Sequence, residues 1–550
     1  MHRLSILFAA VGLLLVTTHV TAQSCDLLIE NGRLVDGSGD PWFQGDIAVT
    51  DGKIAAIGRP LPHTGRIQID ATGLIVSPGF IDIHSHSDTL ILRDGLAHSK
   101  IRQGVTTEIL GEGYSAGPAS GQRKPGFVAV ANDEPLRWRT LGEYFDVLDR
   151  QTMSVNIASY VGLSAVWECV MGKSFARPND TQLKEMEALI DQAMEQGALG
   201  LSSQVMMPPG SLATTDDLVR LAGVVKSHGG LYSTHIRNEG LGVFDSVKEA
   251  ISIGERAGIP VDIIHIKIAD QKYWNRMDEV LQLIEQARQR GVNVQANVYP
   301  YTRGNNNLIS IIPPWAHEGG TSQLLKRLAD PKDRARIKRD ILSGVDQWYN
   351  HYTAIGGDWS RMLISGDHLY RGLTMDRVFK LRGNPPDKID DLLSFLEENG
   401  GGISTVYAHH TEPDMTLALG KPWCSVGSDG SAYSVTGPLR LGNPHPRNFG
   451  TFPRVLSRYV RETQLLTLED AIRKITSLNA TKVGLHDRGL LKVGFAADIT
   501  IFDPEIIADQ STYTEPFAYP LGIPYVIVNG QLTIRDGKHT GVRAGTTLRK

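Results

Sequence analysis

The chain has 550 residues, of which 41% are hydrophobic and 21% charged, and its formal net charge is -4 at pH 7. This length exceeds one ordinary domain and suits a large α/β unit with a smaller attached domain. Because the chain is nearly neutral, it has no strong positive field that would attract the phosphate backbone of a nucleic acid. We therefore expect no nucleic-acid partner. With only Cys25, Cys169 and Cys424 in the sequence, stability must come from packing rather than from disulfides.

The first residues have the pattern of a secretory signal peptide. His2 and Arg3 precede an apolar run from Leu4 to Val16, followed by small residues. We expect residues 1–22 to be cleaved near Ala22 and the protein to be exported to the periplasm or the medium. An uncleaved anchor is the alternative, but the run is too short to span a bilayer, and no later stretch approaches about 20 apolar residues. Stable membrane insertion is therefore not expected.

Residues 24–76 have the pattern of short strands, with alternating apolar and polar residues, separated by turns. Residues 486–550 have the same pattern. Four dipeptides in these segments are hairpin signals: Asn31-Gly32, Asp51-Gly52, Asn529-Gly530 and Asp536-Gly537. We predict that the two chain ends together form one small β-sandwich.

Between these ends, residues 77–485 alternate apolar strand-like runs with helix-like segments, such as VDIIHI before MDEVLQLIEQARQRG. Strand followed by helix, repeated, indicates a parallel sheet, and the number of repeats predicts an α/β fold built on a (β/α)8 TIM-like barrel. Residues 305–400 interrupt this rhythm. We predict that they form an insertion that caps the barrel mouth.

Several potential metal ligands end the predicted strands. His84 and His86 are at i and i+2, so their side chains share one face of a strand about 6.5 Å apart and can bind one ion. His235, His265 and Asp429 each end or follow another apolar run. In a barrel all strands deliver their carboxyl ends to the same mouth, so these residues should converge there. Four separately satisfied core histidines would be the alternative.

The stretch TEILGEGYSAG allows two interpretations. Gly113 to Gly117 fit G-x-S-x-G, in which Ser115 would be a nucleophile, whereas Glu112 could be a metal ligand. A nucleophile elbow requires a helix directly after the serine. The chain instead continues PASGQRKP, which cannot begin a helix cleanly. The sequence therefore favours Glu112.

Many motifs occur in one order along nearly the whole chain: DLLIENGRLVDGSG, IVSPGFIDIHSHSD, GVTTEILGEGYS, GALGLSS, THIRNEG, HIK, VYPY, GSDG, PHPRNFGTFPR and GFAADITIFDP. With these motifs the chain resembles the amidohydrolase superfamily, and within it the N-acyl-D-amino-acid deacylases, or D-aminoacylases. The resemblance implies a metal-dependent hydrolase that cleaves the amide bond of N-acyl-D-amino acids. It does not specify the substrate side chain.

The resemblance also implies roles for particular residues. Glu112, His235 and His265 would hold one divalent ion, and His84, His86 and Asp429 a second, with Glu112 shared. Asp429 would be the general base for metal-activated water. Lys267, Tyr299 and Arg447 match the positions that hold the substrate carboxylate, and Arg237 and Glu239 would support the ligands.

Three departures from the family pattern stand out. Glu112 replaces a cysteine. A carboxylate oxygen is a harder ligand than a thiolate sulfur, so manganese, cobalt or iron could bind in place of the expected zinc. Leu163 replaces a histidine, which leaves a carbonyl-polarising role unfilled from that strand. The connection from Asp429 to Arg447 is longer than usual.

Other functions stay open on the sequence alone. A metallo-dipeptidase for L-Xaa-D-Xaa substrates needs the same carboxylate anchor. A cyclic-amide hydrolase is disfavoured, because the fourth strand, GALGLSSQVMMPPG, has no lysine for carbamylation. A non-catalytic metal-binding protein would not need Asp429 as a proton acceptor. Homo-oligomerisation is possible, and a small N-acyl-amino-acid or dipeptide substrate is the expected partner.

Overall fold

A computed structural model of the chain describes residues 23–129, 134–345 and 348–550. The predicted signal peptide lies outside the described residues. Within the described residues, no helix is long and apolar enough to cross a membrane.

Both chain ends contribute to one nine-stranded sheet. Its strands are Gln23–Leu34, Phe43–Thr50, Lys53–Gly58, His63–Asp70, Ile75–Pro78, Ile499–Phe502, Tyr525–Val528, Gln531–Arg535 and Lys538–His539. The two ends meet where Ile75–Pro78 pairs antiparallel with Ile499–Phe502. The predicted association of the two ends is therefore present, whereas their arrangement as a two-layer sandwich stays a prediction.

The hairpin signals have different outcomes. Asp51 and Gly52 have positive φ angles of 51° and 74° and join two antiparallel strands, as a tight hairpin turn requires. Asn529-Gly530 and Asp536-Gly537 also have positive φ angles and connect paired strands. The prediction for Asn31-Gly32 was wrong. Asn31 has a φ of 61°, but the strand Gln23–Leu34 continues through it, with a register shift between Ile29 and Gly32, because a bulge uses the same backbone conformation as a turn.

The middle of the chain forms parallel strands. Three of them, Phe80–Asp82, Val105–Leu110 and Asn156–Ser159, form one sheet. Six more form a second sheet: Val161–Gly162, Gly200–Gln204, Leu231–His235, Val261–Ile263, Val294–Val298 and Cys424–Val426. The chain passes directly from the first sheet to the second at residues 159–161. At the other edges of the two sheets, a parallel bridge joins Ser85, after the strand Phe80–Asp82, to Gly430, after the strand Cys424–Val426. This order supports the predicted barrel, whose closure stays a prediction.

Helices alternate with these strands and cover them with their apolar faces. Three of the helices start at a capping box, in which a polar residue before the helix and the third helical residue satisfy each other's backbone N–H groups: Thr140 with Glu143, Asn179 with Gln182, and Thr214 with Asp217. The helices that pack in this unit are His98–Ile101, Leu141–Gln151, Leu163–Met171, Asp180–Glu195, Thr215–Val224, Val243–Ala257, Met277–Gln289, Glu412–Leu419, Arg447–Arg454, Leu468–Ile475 and Ser477–Val483.

The insertion has a core of its own. Its strands Gly304–Asn307, Met362–Ile364 and Ser404–Tyr407 form an antiparallel sheet. Its helices are Thr321–Ala329, Pro331–Ser343, His351–Ala354, Met375–Leu381 and Lys388–Glu398. Apolar side chains of these elements form a separate buried cluster that includes Leu328, Phe379 and Phe395. The unit extends from 304 to 407, slightly beyond the predicted 305–400, because its first and last strands pair with each other.

Candidate metal centre

The six predicted metal ligands lie together at the carboxyl ends of the parallel strands. His235 is the last residue of its strand, and the other five follow theirs by two to four residues. Parallel strands present their carboxyl ends at one edge, so residues that are more than 300 positions apart in sequence come within a few ångströms. The cluster consists of His84, His86, Glu112, His235, His265 and Asp429.

Glu112 and Asp429 link the histidines. His84 Nε2 lies 3.0 Å from Glu112 Oε2, and His86 Nε2 lies 3.1 Å from the same oxygen. His86 Nε2 is also 3.0 Å from Asp429 Oδ1. On the other side, His235 Nδ1 lies 3.3 Å from Glu112 Oε1, and His265 Nε2 lies 3.8 Å from Asp429 Oδ2. Each carboxylate therefore faces two or more imidazoles with its two oxygens.

This set of donors fits divalent metal ions. Three overlapping groups each place their ligand atoms within 4.8 Å of one another: His84, His86 and Glu112; His84, His265 and Asp429; and Glu112, His235 and His265. Glu112 Oε1 and His235 Nε2 are buried and form no hydrogen bond within the described part of the chain. Buried polar atoms without partners are costly, and imidazole and carboxylate are ordinary ligands of zinc and related ions.

Burial and charge favour the carboxylate forms of Glu112 and Asp429 and the neutral form of His265, the forms that can bind a cation. Burial disfavours the charged form of Glu112, but the adjacent imidazoles of His84, His235 and His86 outweigh it and hold its pKa well below the usual range. Burial likewise opposes ionisation of Asp429, and the Arg447 guanidinium and His84 reverse this and lower its pKa. Burial and the charge of Lys267 lower the pKa of His265 to about 4, so this imidazole is neutral at pH 7.

Two members of the cluster have an unusual backbone. His265 has a φ of 37° and Asp429 a φ of 51°, in the left-handed region that residues other than glycine rarely adopt. Such conformations cost on the order of 1 kcal/mol or more and concentrate at functional sites. The sharp turn after each strand aims its side chain at the cluster.

Lys267 and Glu239 lie directly behind the histidines. Lys267 Nζ is 2.6 Å from Glu239 Oε1 and 2.7 Å from His265 Nδ1. Glu239 Oε1 is also 3.1 Å from His265 Nδ1 and 3.5 Å from His235 Nε2. Glu239 therefore supports two ligands, as the sequence suggested for it. Arg237, the other predicted support, binds Glu249 and the backbone oxygens of Ser211 and Ala213 instead.

A buried ion pair supports the first and last strands beneath the cluster. Lys100 Nζ lies 2.7 Å from Asp82 Oδ2 and donates to Ser428 Oγ and to the Gly430 carbonyl at 2.8 and 3.0 Å. The side chains of Lys100 and Asp82 are both 0% exposed. This network fixes the backbone on both sides of Asp429. This ion pair could not be predicted from the sequence, because Lys100 follows no strand and belongs to no motif.

A cavity of about 380 Å³ adjoins the metal donors, five of which line it. Arg447 also lines it, with Nη1 2.7 Å from Asp429 Oδ2. The rest of the lining comes from the loop before Arg447, the helix that Arg447 begins, the fourth strand and the insertion: Gln204, Asn305, Asn306, Ser365, Gly366, Asp367, Ser404, Ser431, Tyr433, Leu441, Gly442, Pro444, His445 and Asn448. The insertion thus forms one wall, as a cap would.

The three predicted carboxylate-binding residues are not equivalent. Arg447 lines the cavity, whereas Lys267 and Tyr299 do not. The Tyr299 hydroxyl is buried and has no hydrogen-bond partner among the described residues. Its ring lies 6.0 Å from that of His265, and the Arg447 guanidinium lies 4.9 Å from its centre. The long connection from Asp429 therefore still returns Arg447 to the site.

His445 was missed by sequence reasoning, although it lies in the PHPR motif. Its Nδ1 accepts a hydrogen bond from the Arg447 backbone N–H at 3.0 Å, and its Nε2 lies 2.9 Å from the Arg303 carbonyl. Tyr513, from the C-terminal segment, packs edge-on against the His445 ring at 5.0 Å. His445 therefore positions the start of the helix that carries Arg447.

Ser115 is not arranged as a nucleophile. It is fully buried, donates a hydrogen bond to the Gly117 carbonyl and accepts one from Gly162 N–H. Bends and turns follow it rather than a helix. Leu163, for which the family resemblance implied a histidine, is buried at the start of its helix.

Comparisons with known proteins agree with this geometry. The profile described as "Amidohydrolase family" matches residues 68–534. A D-aminoacylase of Alcaligenes xylosoxydans is 32% identical over 531 residues, which are 96% of this chain and 98% of that protein. An N-acyl-D-aspartate deacylase of the same organism is 32% identical and covers 95% of each chain.

A solved structure supports the same relationship. The crystal structure of an N-acyl-D-glutamate deacylase from Bordetella bronchiseptica, complexed with zinc and a phosphonate inhibitor, is 30% identical and superimposes with a TM-score of 0.79. The alignment covers 96% of this chain and all of that one. The chain therefore belongs to the amidohydrolase family, and within it to the D-aminoacylases and their relatives.

Proposed function

We propose that this protein hydrolyses N-acyl-D-amino acids to a carboxylate and a free D-amino acid. The observation that carries the proposal is the contact between the metal-ligand cluster and Arg447, at 2.7 Å from Asp429. A substrate with its carboxylate one carbon from the scissile amide would reach Arg447 and Asp429 at once. Its relatives of similar length are named as deacylases of this substrate class.

Arg447 is the substrate anchor. A guanidinium binds a carboxylate through two parallel hydrogen bonds, which fixes the orientation of the bound group. Orientation at the α-carbon is what a site needs in order to distinguish one hand of an amino acid from the other. Lys267 and Tyr299 would act from behind Arg447 and His265 by setting the charge and shape of this end of the cavity.

Asp429 is the general base and then the general acid. It is a carboxylate at neutral pH, since its pKa is held low. A divalent ion held by His84, His86, Glu112, His235, His265 and Asp429 would acidify a water molecule and polarise the scissile carbonyl. Asp429 accepts the proton from the attacking water and delivers it to the departing amine, so no covalent intermediate on the protein is needed. Substrate carboxylate on Arg447 would also relieve the ion pair that holds Asp429.

The carboxylate of Glu112 adapts the centre to more than one metal. Its two oxygens face different histidines, His84 and His86 on one side and His235 on the other. A carboxylate in this position can bridge two ions. We therefore propose one or two ions per chain, with zinc as the first choice and manganese, cobalt or iron also accepted.

The cavity favours neutral side chains on the amino acid. Among its lining residues, Arg447 is the only Lys or Arg side chain, and it is committed to the α-carboxylate. An N-acyl-D-glutamate or N-acyl-D-aspartate would bring a second carboxylate with no cation to receive it. Burying an unpaired charge is costly, so acidic substrates should be poor.

One lining residue supports a second candidate function. Asp367 is a carboxylate in the cavity outside the metal donors, on the wall formed by the insertion. A free α-amine on the acyl side could pair with it, as an L-Xaa-D-Xaa dipeptide would require. Its side chain is 73% exposed and lies 3.9 Å from Arg371, so its charge is screened and partly neutralised. We therefore rank the dipeptidase second.

An assay with paired substrates tests the proposal. Enzyme reconstituted with zinc would be given N-acetyl-D-leucine, N-acetyl-L-leucine, N-acetyl-D-glutamate and L-Leu-D-Leu. We expect the first to be hydrolysed fastest. Hydrolysis of only the L isomer, or of neither isomer, would contradict the proposal, and preference for the dipeptide would support the second candidate. The export predicted from residues 1–22 is a separate proposal, tested by the N-terminal sequence of the mature protein.

A further inference from the structure

The end of the fourth strand presents an amide side chain to the cavity. Gln204 is the last residue of the strand Gly200–Gln204 and pairs in parallel register with His235. It lines the same cavity as the metal donors and is half-buried. Its position beside a metal ligand is therefore fixed by the sheet.

The side chain of Gln204 has no hydrogen-bond partner among the described residues. No hydrogen bond joins its carboxamide to any residue in the ranges that the structure describes, although a carboxamide carries two N–H donors and an acceptor. Other amides of the cavity are already engaged: Asn448 donates to the His445 carbonyl and accepts from Ser431 N–H, and Asn305 accepts from Ser365 and Ser404. Gln204 is available to a ligand.

Its location relative to Arg447 indicates which part of the substrate it meets. A Cβ placed on Gly113 would lie 2.7 Å from Gln204 Cβ, so Gln204 packs against the turn that carries Glu112. Its backbone neighbour His235 faces Glu112 as well. Arg447, in contrast, contacts Asp429. If the carboxylate of the substrate is held by Arg447, its acyl half extends toward the Glu112 side of the cluster, where Gln204 lies.

We propose that Gln204 is a catalytic residue whose carboxamide N–H donates a hydrogen bond to the oxygen of the scissile carbonyl as negative charge develops there. This inference rests on the proposed function. On the neighbouring strand, Val161–Gly162, the next residue is Leu163, which is buried and whose apolar side chain offers no hydrogen-bond donor. A side-chain amide aimed at a developing oxyanion is an effective donor because it needs no proton transfer and is already oriented by the protein.

Two substitutions and one inhibitor test this role. Gln204→Leu removes the donors at similar size, and Gln204→Glu replaces them with acceptors and a negative charge. Substrate is N-acetyl-D-leucine, and the inhibitor is the phosphonate in which a tetrahedral phosphorus replaces the scissile carbonyl. Gln289→Leu, an exposed position at the end of the helix Met277–Gln289, is the matched control. Bound metal is measured in every variant.

We expect Gln204→Leu to lower kcat by about 10²-fold with little change in KM and with unchanged metal content. The affinity for the phosphonate should fall by a similar factor, because the analogue resembles the transition state. Gln204→Glu should be at least as impaired, and the control should match the wild-type enzyme.

Three results would overturn the inference: a kcat for Gln204→Leu within threefold of wild type, an unchanged phosphonate affinity, or a rise in KM alone, which would make Gln204 a ground-state contact. If the wild-type enzyme is active and Gln204→Leu is unaffected, only this inference fails. A metal-loaded wild-type enzyme that hydrolyses no N-acyl-D-amino acid removes the proposed function and this inference with it.

Discussion

Arg447 Nη1 lies 2.7 Å from Asp429 Oδ2, so the proposed substrate anchor and the proposed base are in contact before substrate binds. Both side chains are almost fully buried, at 5% and 10% exposure. Substrate must exchange this ion pair for its own carboxylate, which couples correct binding to the release of the base.

Replacing Arg447 should impair recognition of the carboxylate. Hydrogen bonds to charged groups contribute about 1.5 to 3 kcal/mol, so we expect Arg447→Ala to raise KM for N-acetyl-D-leucine by about 10- to 100-fold. The preference of the enzyme for N-acetyl-D-leucine over its amide should also shrink. Steady-state kinetics with both compounds checks this, with Arg290→Ala, an exposed helix-end position, as control. An unchanged preference for the acid would exclude Arg447 as the anchor.

Replacing Asp429 should lower kcat strongly while most of the bound metal is retained. Asn keeps the shape and one oxygen donor but cannot accept the proton, and proton transfer by a positioned group contributes about 10²- to 10⁴-fold. We expect Asp429→Asn to lose kcat in this range while it keeps most of its metal, as judged by elemental analysis. Turnover close to that of the wild type would remove Asp429 from the mechanism.

Replacing Glu112 should reduce metal content. Its two oxygens face three histidines, so Glu112→Ala removes the group that links them. We expect the purified variant to hold at least one ion fewer than wild type if the centre binds two, or to be nearly metal-free if it binds one. Glu185→Ala, on an exposed helix face, serves as the control. Equal metal content in both variants would contradict the assignment of Glu112 as a shared ligand.

The metal ligands could be predicted because they share one geometric rule. Each ends or follows an apolar run, and parallel strands bring such positions to one edge whatever lies between them. The partners of Lys267 could not be read in this way. It was predicted to bind substrate, whereas its Nζ contacts Glu239 and His265, because the direction of a long side chain depends on packing that the strand pattern does not encode.

The same limit applies to the fold. Alternation of strands and helices predicted the parallel sheets, and three of the four hairpin turns predicted from dipeptides are present. Asn31-Gly32 failed because a bulge and a turn need the same positive φ angle, and only strand pairing distinguishes them. The insertion could be predicted because the alternation of strands and helices stops there. Its own core, around Phe379 and Phe395, could not be predicted, because it depends on contacts between its helices.

Lys100 should be important for stability although it does not line the cavity. It is fully buried with Asp82, and removing one partner of such a pair leaves the other charge uncompensated, at a cost of about 3 to 5 kcal/mol. We therefore expect Lys100→Met to lower the free energy of unfolding by this amount, measured by chemical denaturation. The double variant Lys100→Met/Asp82→Asn should recover part of the loss. A single variant within about 1 kcal/mol of wild type would contradict this account.

His351 should make the protein acid-sensitive. It is a buried residue of the insertion, with its ring stacked on Tyr407 at 4.5 Å and close to Tyr349 and His409. Burial lowers its pKa to about 3, despite the nearby Glu239. The folded state thus prefers the neutral form, so its contribution is fully present above about pH 6.5 and is lost as the pH falls toward 3.

We expect the unfolding free energy of the chelator-treated wild type to fall between pH 6 and 4. The slope for His351→Phe should be smaller by about 1 kcal/mol per pH unit. Part of the slope will persist in the variant, because burial also lowers the pKa of His410 to about 3. Equal slopes for wild type and His351→Phe would show that His351 does not titrate on unfolding.

The central claim is that the six-residue cluster holds the metal that makes this chain a hydrolase of N-acyl-D-amino acids. The most direct measurement is a titration of chelator-treated enzyme with zinc while the hydrolysis of N-acetyl-D-leucine and the bound zinc are followed together. We predict no turnover without metal and full recovery by the time two ions are bound per chain. Full activity in protein shown to be metal-free would contradict the account.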